Sequence, residues 1–189
     1  MKLQLRDYPR IAIFVGLIAA LGLIPQINLG PIPFAPQVLG VMLAGAVLGS
    51  YRGTLAVLIF EVLVLAGLPL LTGGRGGFSV FIGPTAGFLF GYLVGAWVIG
   101  LIIKNLSKIN LAISSAIAFA VGGIVVIYAI GFAWLMPAAQ FNLNPAAQGT
   151  LDYFVPLLGL FLVGDVIKAV IAVLVLLGIK AAYPKALVN

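Results

Sequence analysis

Long apolar runs, broken by short polar or Pro/Gly-rich stretches, set the rhythm of the chain. A helix that crosses a bilayer needs roughly 20 apolar residues, fewer where its ends snorkel or it sits inside a bundle. By that measure the first helix spans Tyr8 to Ile24 and stops at Pro25. The stretch Gln26 to Pro36, with prolines at 31, 33 and 36, cannot continue as helix and predicts a structured loop. A second helix is predicted over Gln37 to Gly49 and a third over Thr54 to Gly67, with Ser50-Tyr51-Arg52-Gly53 as a tight turn between them. A loop from Leu70 to Ile82 carries Gly73-Gly74-Arg75-Gly76-Gly77.

The fourth helix is predicted over Gly83 to Ile103, with Pro84 in its first turn, where a missing N–H costs little. Lys104 to Asn110 forms a short polar link to a fifth helix, Leu111 to Trp134. A longer loop, Leu135 to Leu151, precedes a sixth helix over Tyr153 to Lys180 and a basic tail. No internal repeat, low-complexity tract or linker interrupts the chain, so one domain over residues 1–189 is expected: an all-α bundle of six transmembrane helices.

Composition agrees with that reading. Charged residues make up 7% of the 189 residues and apolar residues 63%. A water-facing surface needs about a quarter charged residues, so most of this chain must face lipid or other helices. The net charge of +6 would suggest a nucleic-acid partner in a soluble protein. Here the basic residues stand singly at the ends of apolar runs, as topology signals, and no nucleic acid is expected. With neither cysteine nor histidine, the sequence has no disulfide, thiol nucleophile, Cys/His metal site or Ser-His triad.

Lys2, Arg6 and Arg10 before an apolar run resemble the start of a signal peptide. Further apolar segments follow, so Ile11 to Ile24 is read as the first membrane helix. Six spans put Lys2, Arg6, Arg10, Arg52, Lys104, Lys108, Lys180 and Lys185 on one side and Arg75 on the other. The positive-inside rule then makes both termini cytoplasmic and places the Pro-rich, Gly-rich and long fifth loops on the outer face.

Two ionisable residues fall within the sixth helix, in Gly164-Asp165-Val166-Ile167-Lys168. A charge at the centre of a span costs about 2.5–3.5 kcal/mol, which makes such residues functional candidates. Asp165 and Lys168 are three apart and share a face, suited to an internal salt bridge or to the polar floor of a ligand site. Their place below the elaborate loops favours the floor. Glu61 on the third helix is expected either to pair with Lys168 or to line the same cavity.

Glycines 83, 87, 91 and 95 recur every four residues on the fourth helix, where a neighbouring backbone can approach closely. Tight packing is the favoured reading; room for a ligand, with Tyr92 and Thr85 as polar contacts, is the other. Ala12, Gly16 and Ala20 form a similar stripe on the first helix, suited by spacing to internal packing or to a partner subunit. The Gly73–Gly77 loop lacks the spacing and the Lys-Ser/Thr of a phosphate-binding loop and reads as a lid, with Arg75 placed to meet an anionic ligand or water.

Taken together, four segments resemble the BioY family, the biotin-specific S components of energy-coupling factor (ECF) transporters. They are Pro33-Phe34-Ala35-Pro36-Gln37-Val38-Leu39-Gly40-Val41-Met42-Leu43-Ala44-Gly45, then Gly67-Leu68-Pro69 with Gly73-Gly74-Arg75-Gly76-Gly77, then Gly83-Pro84-Thr85-Ala86-Gly87-Phe88-Leu89, and Gly164-Asp165-Val166-Ile167-Lys168. The sequence departs from the family pattern at Val163, where proline is usual, at Ala86, where glycine is common, and at Glu61, where an uncharged residue is expected.

The resemblance implies biotin capture at the outer face of a prokaryotic plasma membrane and no enzymatic activity. A separate membrane T component and two ABC-type ATPases would power import, and neither cofactor nor metal is implied. It also implies that Ala12, Gly16 and Ala20 dock the T component. Biotin offers ureido N–H donors, a ureido carbonyl, an apolar ring and a carboxylate. Asp165 is then expected to accept from a ureido N–H and Lys168 to donate to the carbonyl. Tyr92, Phe34 and Phe88 would wall the rings, and Gln37, Ser79, Thr85 or Arg75 would reach the carboxylate. An S component for another vitamin remains an alternative. An intramembrane enzyme using Asp165, Lys168 and Glu61 is a weaker one, since a nucleophile constellation is missing.

Overall fold

The computed structural model describes residues 3–24, 36–142, 150–184 and 187. Among them the chain is helical, apart from turns and one isolated bridge between Leu71 and Arg75. Helix α1 covers Asp7–Gly22. Its buried residues Asp7, Ile11, Val15, Ile18 and Gly22 follow helical spacing and face the bundle. Ala12, Gly16 and Ala20 lie on the opposite, exposed side. Internal packing, the reading that spacing alone favours for this stripe, is therefore not what the bundle makes of it.

Helix α2 covers Gln37–Leu65 but is folded in two at Gly49, whose φ of 79° and ψ of 176° are not helical. Positive φ strains any residue with a Cβ, so glycine is what permits the reversal. The return is tight: a Cβ on Gly53 would lie 2.6 Å from the carbonyl oxygen of Ala44. No straight helix brings those two residues together. The limbs, 37–48 and 50–65, are about 18 Å and 24 Å long at 1.5 Å per residue. The predicted turn at Ser50–Gly53 is thus displaced to Gly49, and residues 50–53 already belong to the second limb. At this end Arg52 Nε lies 3.0 Å from Asp7 Oδ2, an ion pair rather than an aligned hydrogen bond, and both side chains are buried. It ties the start of α1 to the reversal.

A single turn, α3 (Ser79–Ile82), precedes α4 (Ala86–Asn105). Gly83 and Pro84, expected inside the fourth helix, precede it instead. Helix α5 (Leu111–Ala118) runs through a π-helical segment, Phe119–Val126, into α6 (Ile127–Asn142). Helix α7 covers Thr150–Ala182. The loop predicted from Leu135 is helical as far as Asn142. That segment is less apolar than the spans, so hydropathy alone sets the boundary too early.

Four of these helices are long and apolar enough to cross a membrane: Gln37–Leu65, Ala86–Asn105, Leu111–Leu135 and Phe161–Ala182. Outward residues such as Val163, Ile167, Val170 and Leu174 are more than half exposed. A continuous apolar exterior of this kind suits lipid rather than water. The core gathers Ile18, Met42, Phe60, Ile99, Phe119 and Ile127 between the helices.

Helix α4 is central, packing against α2, the π-helical segment and α6. Its glycines make the close approaches. A Cβ on Gly91 would lie 3.1 Å from the Ile127 backbone, and one on Gly95 2.7 Å from the Gly122 carbonyl oxygen. The packing reading therefore holds for Gly87, Gly91 and Gly95. Gly100 meets the backbone of Ser50 at the α2 reversal. A Cβ there collides with main chain that cannot rotate aside, so Gly100→Ala is expected to destabilise the protein by about 1–3 kcal/mol. Denaturation in detergent checks this against Gly16→Ala, where the added Cβ meets nothing within 4 Å.

Candidate functional site

A cavity opens at the end of the bundle where the start of α2, α4, α6 and α7 converge beneath the segment joining α2 to α3. Its empty space is about 790 Å³, counting the open mouth. Ligand sites are mainly apolar, with a few placed polar groups. This one has such a division.

The floor comes from α7. Asp165 and Lys168 are three residues apart on its inner face, and each is only 5% exposed. Lys168 Nζ donates to Asp165 Oδ1 at 2.5 Å, while Tyr128 Oη donates to Asp165 Oδ2 at 2.5 Å. Burying a carboxylate and an ammonium is tolerable because each neutralises the other and the phenol satisfies a further lone pair. The pair is local to α7, so Lys168 bridges Asp165. Glu61 is buried on the second limb of α2, outside the residues that line the cavity, and its Oε1 has no hydrogen-bond partner among the described residues.

The walls are aromatic. Tyr128 and Phe132 lie one turn apart on α6 and contact Phe88 of α4, with ring centroids 5.6 to 6.5 Å apart in edge-on arrangements. Tyr92 stands one turn below Phe88 and is nearly buried. Phe161, one turn above Asp165, closes the α7 side.

The roof is residues 66–78, here called the cap. Glycines with positive φ at 67, 73, 74 and 77 shape it. Leu71 N–H donates to the Arg75 carbonyl, and Gly77 N–H donates to the carbonyl of Val64 at the end of α2. Gln37, at the start of α2, fastens the cap from below. Its Nε2 donates to the Leu70 carbonyl at 2.9 Å, and its Oε1 accepts from the Thr72 hydroxyl at 3.0 Å and the Thr72 N–H at 3.3 Å. Arg75 Nε in turn donates to the Thr72 carbonyl at 3.3 Å.

Of the residues proposed from sequence, Asp165, Lys168, Tyr92, Gln37, Thr85, Arg75 and Phe88 line this cavity. Ser79 does not: it is exposed on α3, one residue before the lining Val80. Phe34 lies outside the described residues. Sequence reasoning missed Thr72, Tyr128, Phe132 and Phe161. The four-residue spacing of Tyr128 and Phe132, and of Phe161 and Asp165, was available as a signal, whereas Thr72 sits in a turn with no periodicity.

An apolar helical exterior around a capped, aromatic chamber with a buried charged floor defines a multi-pass membrane protein built to enclose a small, partly polar ligand. The chain belongs to the BioY family, whose sequence pattern matches residues 1–185. It is 46% identical over 186 residues to the biotin transporter BioY of Rhodobacter capsulatus, covering 96% of this chain and 97% of the relative. It is 45% identical over 186 residues to the biotin transporter BioY of Rhizobium etli, covering 95% of each. A crystal structure of the S-component for biotin from an ECF-type ABC transporter superimposes with a TM-score of 0.83 at 29% identity, over 93% of this chain and 91% of that one. These relatives are transporters, not enzymes.

Proposed function

We propose that this protein is the biotin-capturing S component of an ECF transporter, taking the vitamin from outside and passing it inward with energy from other subunits. The observation that carries this is the Asp165–Lys168–Tyr128 floor beneath an aromatic, capped chamber, in a chain akin to biotin transporters. The protein is one domain of six spanning segments in the plasma membrane of a prokaryotic cell: α1, the two limbs of α2, α4, residues 111–142, and α7. Both termini are cytoplasmic, in keeping with the lysine and arginine bias. The cap then faces outward.

Within the site, a ureido N–H of biotin donates to Asp165 and the ureido carbonyl accepts from Lys168. The apolar ring lies against Phe88, Tyr92, Tyr128 and Phe132. Arg75 and Thr85 sit nearer the mouth and receive the carboxylate. Gln37 is a weaker carboxylate ligand than its type suggests, because its Nε2, the only group on it that could donate to a carboxylate, already donates to the Leu70 carbonyl. The motor consists of a T component and two ABC-type ATPases. The outward stripe of Ala12, Gly16 and Ala20 docks the T component, since small residues allow close contact between helices in lipid.

Titration calorimetry of the detergent-solubilised protein tests the capture role, with thiamine and riboflavin as controls. Saturable one-to-one heat with biotin alone is expected. A true ligand at a hundred times its Kd should also stabilise the fold by about 2.7 kcal/mol through mass action. A folded protein that takes up a control vitamin and ignores biotin would redirect the assignment to that vitamin.

A further inference from the structure

We propose that Gln37 is a positioning residue: it anchors the cap, sets Arg75 over the cavity, and links the cap to the end of α1. This rests on the capture reading above for its consequence, but not for its geometry. Gln37 and Thr72 are 1% and 2% exposed, so their hydrogen bonds have no water to replace them. The side-chain amide grips the cap at two successive residues, through the Leu70 carbonyl and through both donors of Thr72. Thr72 passes the restraint on, since its carbonyl holds Arg75 Nε. The chain of contacts runs from the start of α2 to the one basic side chain on the cap.

Helix α1 meets the same point from the other side. The space a Cβ on Gly22 would occupy is filled by the Leu70 carbonyl oxygen and, at 2.6 Å, by Gln37 Nε2. Gly22 closes the buried face of α1, and the exposed stripe of Ala12, Gly16 and Ala20 lies on that helix's other side. A subunit that grips the stripe therefore holds the helix whose end abuts the cap's anchor. Gly22 packs directly on the Gln37–Leu70 contact, so movement of α1 towards α2 presses on it. That gives partner docking a direct route to the lid of the site.

The absence of cysteine from the sequence makes the test clean. A single Leu71→Cys places a thiol within the cap, on its cavity side, at a position 5% exposed. Its rate of reaction with a soluble maleimide reads cap opening without any ligand. Gln37→Met keeps the side chain's length and removes its hydrogen bonds, and in this background labelling is expected to accelerate at least tenfold with an unchanged helical circular dichroism spectrum. Gly22→Ala, outside the cavity, is expected to do the same by displacing the anchor. Where Gln37→Met fails to fold, Thr72→Val removes one hydroxyl donor and carries the same test. Unchanged labelling in the Gln37 or Thr72 variant overturns the anchor. Acceleration by Gln37→Met but not by Gly22→Ala overturns the link to α1. With biotin, both variants are expected to release the vitamin faster. Accelerated labelling in a protein that never binds biotin would leave the anchor standing and sink the capture reading alone.

Discussion

Asp165→Asn is expected to weaken biotin binding by tenfold to more than a hundredfold while the helices stay intact. The variant keeps the shape of the side chain and removes its charge. A hydrogen bond to a charged group contributes about 1.5–3 kcal/mol, and each 1.4 kcal/mol is a factor of ten in Kd. Two effects overlap, because Lys168 loses its counter-ion at the same time. Breaking a buried pair from one side costs about 3–5 kcal/mol of stability. A double variant, Asp165→Asn with Lys168→Met, separates them. It leaves no uncompensated charge, so thermal stability should recover. If the pair is a ligand floor, biotin affinity stays lost in the double variant. If affinity returns together with stability, the pair only braces α7. Tyr128→Phe extends the argument: losing the phenol's hydrogen bond to Asp165 should weaken binding by a smaller factor, with the aromatic wall preserved. Calorimetry and thermal denaturation on the same preparations check all three.

Gly16→Trp is expected to abolish biotin uptake and leave biotin binding unchanged. A Cβ on Gly16 meets nothing within 4 Å and the residue faces outward, so a large side chain there is directed away from the bundle. The site lies elsewhere, on the inner faces of α2, α4, α6 and α7 beneath the cap, with no lining residue from α1. Only a partner helix lying close along α1 would feel the indole, and small residues are what permit such an approach in lipid. Uptake into cells or vesicles containing the T component and ATPases should fall at least tenfold, with the Kd of the isolated protein the same as the parent's. Undiminished uptake would return the stripe to plain lipid contact. The contrast with Gly100 is instructive: there a single methyl collides with the Ser50 backbone, and the fold rather than the partner objects.

The sequence by itself determined that this is a membrane protein, where most of its helices lie, and which two charges share a face. Those conclusions rest on local chemistry: the scarcity of charge, the breaks at proline and glycine, and the i, i+3 spacing of Asp165 and Lys168. The tertiary structure decided the rest. Two four-residue stripes of small residues look alike in the sequence, yet that of α4 is packed against α6 and the π-helical segment while that of α1 faces outward. In lipid both faces of a helix are apolar, so hydrophobic patterning does not mark which one turns inward. The reversal at Gly49 was blurred for a similar reason, since glycines at 49 and 53 both permit a turn and only the packing of the limbs selects one. Tyr128 reaches Asp165 across 37 residues of chain, and Gln37 reaches Thr72 across 35. Contacts of that length depend on how the helices are assembled, and a side chain's type discloses its capacity to bond but not the partner that the fold will bring to it.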